Sequence, residues 1–252
     1  MHLNYVRFPN VATFERLVAS CPVLEDLKID VLWNDGRVYR VQSRSLKRLR
    51  LLRSSSMVFD SVPGVVIDAP LLCYLRISDS VSETYIVNNL ESNAKLDIHL
   101  DFGSEDFGET SVSWRSFLPA ISEVMDLTIC ENNFKMGSEE MNQISFLLGM
   151  TRIVDMTIFM YTSKVFLGSE KINQLSFSSV NPKCLLSSLQ FVELDAQIMG
   201  FDDELLNLAK YFLENSSILQ KITVHRNRHG STYEGLINKF RRRSRICQVI
   251  LI

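Results

Sequence analysis

Apolar residues return along this chain in one short phrase: an aliphatic residue, a second three positions later, and a third two positions after that. SCPVLEDLKID, residues 20–30, spells it first, with Leu24, Leu27 and Ile29. Further copies stand at Leu46/Leu49/Leu51, Leu72/Leu75/Ile77, Val124/Leu127/Ile129, Ile153/Met156/Ile158, Ile172/Leu175/Phe177, Leu189/Val192/Leu194, Leu219/Ile222/Val224 and Ile246/Val249/Leu251. A weaker copy, KLDIHL, offers Leu96 and Ile98 but places Asn93 in the first slot. Middle residues of successive copies lie 17 to 31 residues apart, an uneven internal repeat.

The last two apolar residues of the phrase point to one face of a short strand, and the residue between them points to the other. The first residue covers the turn leading into that strand. A single unit cannot bury its own apolar face, so successive units stack and their strands form a parallel sheet. The pattern therefore predicts an α/β fold: an irregular repeat solenoid with a parallel sheet on its concave face. Segments between the strands return the chain along the opposite side. Two of them read as helices, VATFERLVAS (11–20), stopped by Cys21-Pro22, and DDELLNLAKYFLEN (202–215), which opens on acids and carries Leu205, Leu208, Ala209, Phe212 and Leu213 at helical spacing. DFGSEDFGET (101–110) reads as an exposed insertion.

The phrases CPVLEDLKI, SLKRLRL and VVIDAPLLCYLRI, followed by NNLESNAKLDI, resemble the plant F-box/FBD/leucine-rich-repeat proteins. NPKCLLSSLQFVEL and LAKYFLENSSILQKITV resemble the FBD domain of the same family. The resemblance implies a leucine-rich-repeat region over 1–177 and an FBD domain over 178–252 that continues the repeat. It also implies a non-enzymatic protein-interaction module, similar to the substrate-recognition arm of an SCF-type ubiquitin ligase. The F-box with which such proteins begin has no counterpart before MHLNYV, so the chain is not expected to bind a Skp1-like adaptor directly. Copies only 19 and 17 residues apart make the middle look compressed, and family asparagines appear only at Asn132 and Asn227. As an alternative, the resemblance allows a small-ligand or phosphate-binding receptor on the concave face.

Composition narrows this picture without changing it. The 252 residues suffice for a large core, and the formal charge of −2 supplies no global attraction to nucleic acid or to an anionic membrane. No apolar run approaches the roughly 18 residues of a membrane span, and MHLNYVRFPN does not read as a signal peptide. A cytoplasmic or nuclear protein is the expectation. Five scattered cysteines form no C-x-x-C pair, and His225 and His229 lack a third ligand, so neither metal nor cofactor is expected. No nucleotide-binding or hydrolase motif is present, and no catalytic residue is assigned.

Two charged features remain. Lys221 to Arg245 holds eight Lys or Arg against one acid, Glu234, and KFRRRSR reads most simply as the basic end of a terminal helix, with a nuclear-import signal or phosphate patch as the functional alternative. The repeat register also sets Lys28, Arg50 and Arg76 at equivalent outward positions, with Arg48 and Tyr74 beside them. Like charges in a row are mildly unfavourable, so these five residues are the candidate surface for an acidic or phosphorylated protein partner. Specific nucleic-acid binding is not expected, as the basic stretch lacks interleaved aromatics.

Overall fold

The computed structural model describes residues 1–31, 38–53, 64–79, 85–88, 90, 93–100, 124–131, 152–160, 183–196, 202–225 and 233–252. The triad Ile172/Leu175/Phe177, the loop 101–110, Asn132, Asn227, His229 and the 177/178 boundary lie outside them. Contacts divide the chain into two units, Met1–Val124 and Met125–Ile252.

In the first unit, β1 (His2–Val6), β2 (Asp26–Val31), β4 (Arg48–Arg53), β6 (Tyr74–Asp79) and β8 (Lys95–Leu100) lie side by side in that order, all parallel. Register follows the phrase: Leu27, Leu49, Leu75 and Leu96 are mutual neighbours, as are Ile29, Leu51, Ile77 and Ile98, and all eight are buried. Leu46 and Leu72 are fully buried over the incoming turns, while Leu24 in the first copy is only partly covered. In the weak copy Asn93 is exposed and Ala94 is buried beside it. A backbone step repeats before β4 and β6: Lys47 and Arg48 N–H donate to the Glu25 carbonyl, and Cys73 and Tyr74 N–H to the Lys47 carbonyl, while before β8 the Lys95 N–H donates to the Cys73 carbonyl. The turns thus stack as regularly as the strands, and the entry of each strand is hydrogen-bonded rather than left open.

The return side of this unit differs from expectation. Between the triad strands the chain forms a second parallel sheet, β3 (Tyr39–Gln42), β5 (Val65–Asp68) and β7 (Tyr85–Asn88), in that order. Tyr39, Val41, Val65, Ile67, Tyr85 and Val87 alternate inward along it, a period of two built from aromatic and branched residues that favour strands. The helix predicted over 11–20 is present as α1 (Val11–Ala19). Asn10 Oδ1 accepts from the Thr13 N–H at 2.9 Å and so caps its first turn. Phe14, fully buried, meets Phe8 and Tyr39 edge-on at centroid distances of 5.4 and 5.9 Å.

The second unit contains β9 (Asp126–Glu131), β10 (Asp155–Met160), β11 (Phe191–Ala196), β12 (Lys221–His225) and β13 (Gln248–Leu251), again parallel and consecutive. Leu127, Met156, Val192 and Ile222 form one buried row and Ile129, Ile158, Leu194 and Val224 the next. First-slot Val124, Ile153, Leu189 and Leu219 are buried too, but Ile246 in the last copy is 68% exposed. Helices α2 (Lys183–Ser187), α3 (Asp202–Asn215) and α4 (Tyr233–Ile237) complete the described elements. α3 matches the predicted range, packs on β11 and β12, and buries Leu205, Leu208, Ala209, Phe212 and Leu213 with Tyr211.

The basic stretch corrects the sequence reading. α4 ends at Ile237, and Lys239 to Arg245 run on as turns, so no helix dipole accounts for those cations. Among the described residues, no helix is long and apolar enough to cross a membrane.

A candidate partner-binding surface

Because the strands of the first unit pair without a slip from β2 to β8, outward side chains form straight rows across them. Lys28, Arg50, Arg76 and Asp97 are consecutive partners, with His2 of β1 opposite Lys28. A second row runs Asp26, Arg48, Tyr74, Lys95. Strands about 4.8 Å apart hold these side chains well within one Debye length of each other. All five predicted residues therefore share one face.

The face is not a bare row of cations. Arg48 Nε donates to Asp26 Oδ2 at 2.8 Å, and Lys47 Nζ contacts Glu25 Oε1 at 2.7 Å. The Arg48 hydrogen bond holds the Asp26 carboxyl below its ordinary range against the opposing effect of burial. Arg76 Nη1 lies 3.5 Å from Asp97 Oδ2, which also accepts from the Tyr74 hydroxyl at 3.1 Å. His99 Nε2 stands 2.8 Å from Asp97 Oδ1. Burial pushes the Asp97 carboxyl up, yet His99, Arg76 and Tyr74 together bring it below the usual carboxylate range. Asp97 stays ionised while only 7% exposed, and it closes the row.

Between these anchored pairs stand Lys28 and Arg50. Neither is in an ion pair with another described residue, and both are partly exposed. Arg50 Cζ sits 5.3 Å from the centroid of the Tyr74 ring, a cation–π distance. Tyr74 thus uses its hydroxyl to hold Asp97 and its face to hold Arg50. The surface can present one stacked guanidinium and one ammonium to an anion, with Arg76 and Arg48 oriented beside them by carboxylates. Sequence reasoning named the cations and Tyr74 but missed Asp97 as the anchor. Its signal was the outward slot of the weak copy KLDIHL, occupied by an acid.

The second unit has a register of its own, with different chemistry. Thr128, Thr157, Glu193 and Thr223 occupy equivalent outward positions, and His225 Nε2 lies 2.6 Å from Glu193 Oε1. Among the described residues, the outward basic row lies in the first unit.

Comparison with known proteins places these repeats. The FBD family model matches residues 178–224, and a leucine-rich-repeat model matches residues 1–22. An F-box/FBD/LRR-repeat protein of Arabidopsis thaliana is 68% identical over 311 residues, covering 100% of this chain and 64% of that protein. Over its whole length the chain is similar to plant F-box/FBD/leucine-rich-repeat proteins. Two further Arabidopsis F-box/FBD/LRR-repeat proteins are 44% and 33% identical, each match covering 100% of this chain and 63% of the relative. The chain thus spans a little under two thirds of the length of these family members. The 68% match extends over 311 residues against 252 here, so that relative carries residues within the matched span that this chain lacks. No solved structure gives a significant match.

Proposed function

We propose that the chain is a target-capturing module, the substrate-recognition arm of a ubiquitin-ligase receptor, and that its first repeats bind an acidic or phosphorylated protein segment. The observation that carries this reading is the registered row Lys28–Arg50–Arg76 with Arg50 stacked on Tyr74. A guanidinium fixed on an aromatic face loses less freedom on forming a forked contact with phosphate or carboxylate. Arg76 and Arg48, already oriented by Asp97 and Asp26, supply local positive potential rather than direct ligation.

Charge reversal at Lys28 and Arg50 is the cleanest test. Arg76 is a poorer choice, since a glutamate there would face buried Asp97, whereas Lys28 and Arg50 are in no ion pair with a described carboxylate, Arg50 acting on Asp26 only at longer range. A doubly phosphorylated peptide immobilised on beads should retain the wild-type chain and lose it with Lys28→Glu/Arg50→Glu. Retention should weaken as salt rises. Equal retention of wild type and double variant would move the interaction off this face. Inositol phosphates added in competition separate a free-phosphate site from a peptide site, because only the former is emptied by the small ligand alone.

A further inference from the structure

The residues after α4 form a second charged surface, on the unit Met125–Ile252, and independent of the row above. Lys239, Arg241, Arg242, Arg243 and Arg245 are all exposed, and none is in an ion pair with another described residue. No acid occurs from Gly235 to Ile252. Five like charges within seven residues repel one another, yet the backbone carrying them is pinned. The Arg243 N–H donates to the Leu213 carbonyl near the end of α3 at 2.9 Å. Ser244, 3% exposed, donates from Oγ to the Leu219 carbonyl at 2.6 Å. Arg242 is held by two neutral acceptors, Asn238 Oδ1 at 3.2 Å and the Cys247 carbonyl at 3.3 Å.

This anchoring bears on what the stretch can bind. A linear import signal is read as an extended strand of basic side chains, and here the buried Ser244 interrupts such a strand between Arg243 and Arg245. The turn instead displays its guanidinium groups from a pinned backbone, with that of Arg242 held by hydrogen bonds. Beside them stand exposed aliphatic residues, Ile246 at 68% and Leu236 at 41%. Stacking on single strands needs aromatic faces, whereas the one aromatic of the turn, Phe240, is half-buried. Carboxylates for the arginine forks and an apolar side chain for Ile246 and Leu236 are best supplied together by protein.

We infer that the turn 238–247 is a docking surface for an acidic protein segment with interspersed aliphatic side chains. Arginine forks take the carboxylates, and the aliphatic pair takes the apolar residues, which sets register. The surface is complete within the second unit and does not depend on the proposed role of Lys28 and Arg50.

The probe is a fluorescent peptide rich in glutamate with interspersed leucine, titrated with the full chain and followed by anisotropy. Wild type should bind it, and Arg241→Gln/Arg243→Gln/Arg245→Gln should bind at least about tenfold more weakly, having lost three charge-assisted contacts. Unchanged circular dichroism and thermal midpoint separate that loss from misfolding. Ile246→Ser should weaken the leucine peptide but not its alanine counterpart, and the triple glutamine substitution should weaken binding by the same factor in the Lys28→Glu/Arg50→Glu background, which separates this surface from the row in the first repeats. The inference is overturned if the triple glutamine variant binds as tightly as wild type. It is equally overturned if phosphatidylserine vesicles or a single-stranded oligonucleotide bind while the peptide does not.

Discussion

Replacing Asp97 by asparagine probes the network that holds the candidate surface in place. The side chain keeps its shape and one acceptor oxygen, so the Tyr74 hydroxyl retains a partner while the charge is lost. Hydrogen bonds to charged groups contribute about 1.5–3 kcal/mol and neutral ones about 1, so this exchange costs roughly 1 kcal/mol. The Arg76 contact, at 3.5 Å with a 39% exposed guanidinium, adds no more than about 1 kcal/mol after screening. Relief of carboxylate burial offsets part of the loss. Asp97→Asn should therefore destabilise by about 1–2 kcal/mol at neutral pH, and Asp97→Ala by about 2–4 kcal/mol, since it leaves both the Tyr74 hydroxyl and Arg76 without a partner.

Urea unfolding read as a midpoint shift at constant slope measures this. Acidification adds a check with a defined sign. The folded state holds Asp97 below the ordinary 3.8 of an aspartate, so in that window the unfolded chain binds the extra proton. Its stabilisation is complete above 3.8 and is lost as pH falls through the lower folded value. The gap between wild type and Asp97→Asn should thus narrow in acid. A variant as stable as wild type at neutral pH, or a gap that stays constant into acid, would refute the network as described.

Leu75→Ala, at a fully buried position between Leu49 and Leu96, should cost about 2–5 kcal/mol by urea titration, and a loss under 1 kcal/mol would mean the repeat core does not pack as a unit. Lys28→Glu/Arg50→Glu should shift the same midpoint by less than about 1 kcal/mol per site while abolishing phosphopeptide retention. Ser244→Ala leaves the Leu219 carbonyl without its buried donor and should destabilise by about 1–3 kcal/mol, seen as a lower thermal midpoint. Asp26 is also held low by Arg48, so wild-type stability should fall as pH drops through the folded carboxylates below 3.8, and Arg48→Gln should flatten that fall.

Sequence alone determined the main sheets, because a period-two pair preceded by a turn-covering aliphatic can bury its face only by stacking on its own copies. From that register alone came the alignment of Lys28, Arg50 and Arg76, as well as α1 and α3 from their periodicity and stops. Local pattern could not say what fills the return side of the first unit. YRVQ, VVID and YIVN are four-residue strands, too short to stand out, and they persist only because three of them pair with one another over the triad sheet. Tertiary structure likewise decided which cations are committed. Asp97 reaches Arg76, Tyr74 and His99 only after β6 and β8 pair, and Arg50 reaches the Tyr74 face only across β4 and β6. It also decided that Arg241 to Arg245 leave the helix, since the buried Ser244–Leu219 hydrogen bond joins residues 25 positions apart. Periodicity reads neighbours within a strand or helix, whereas charge pairing and anchoring are set by which strands lie side by side.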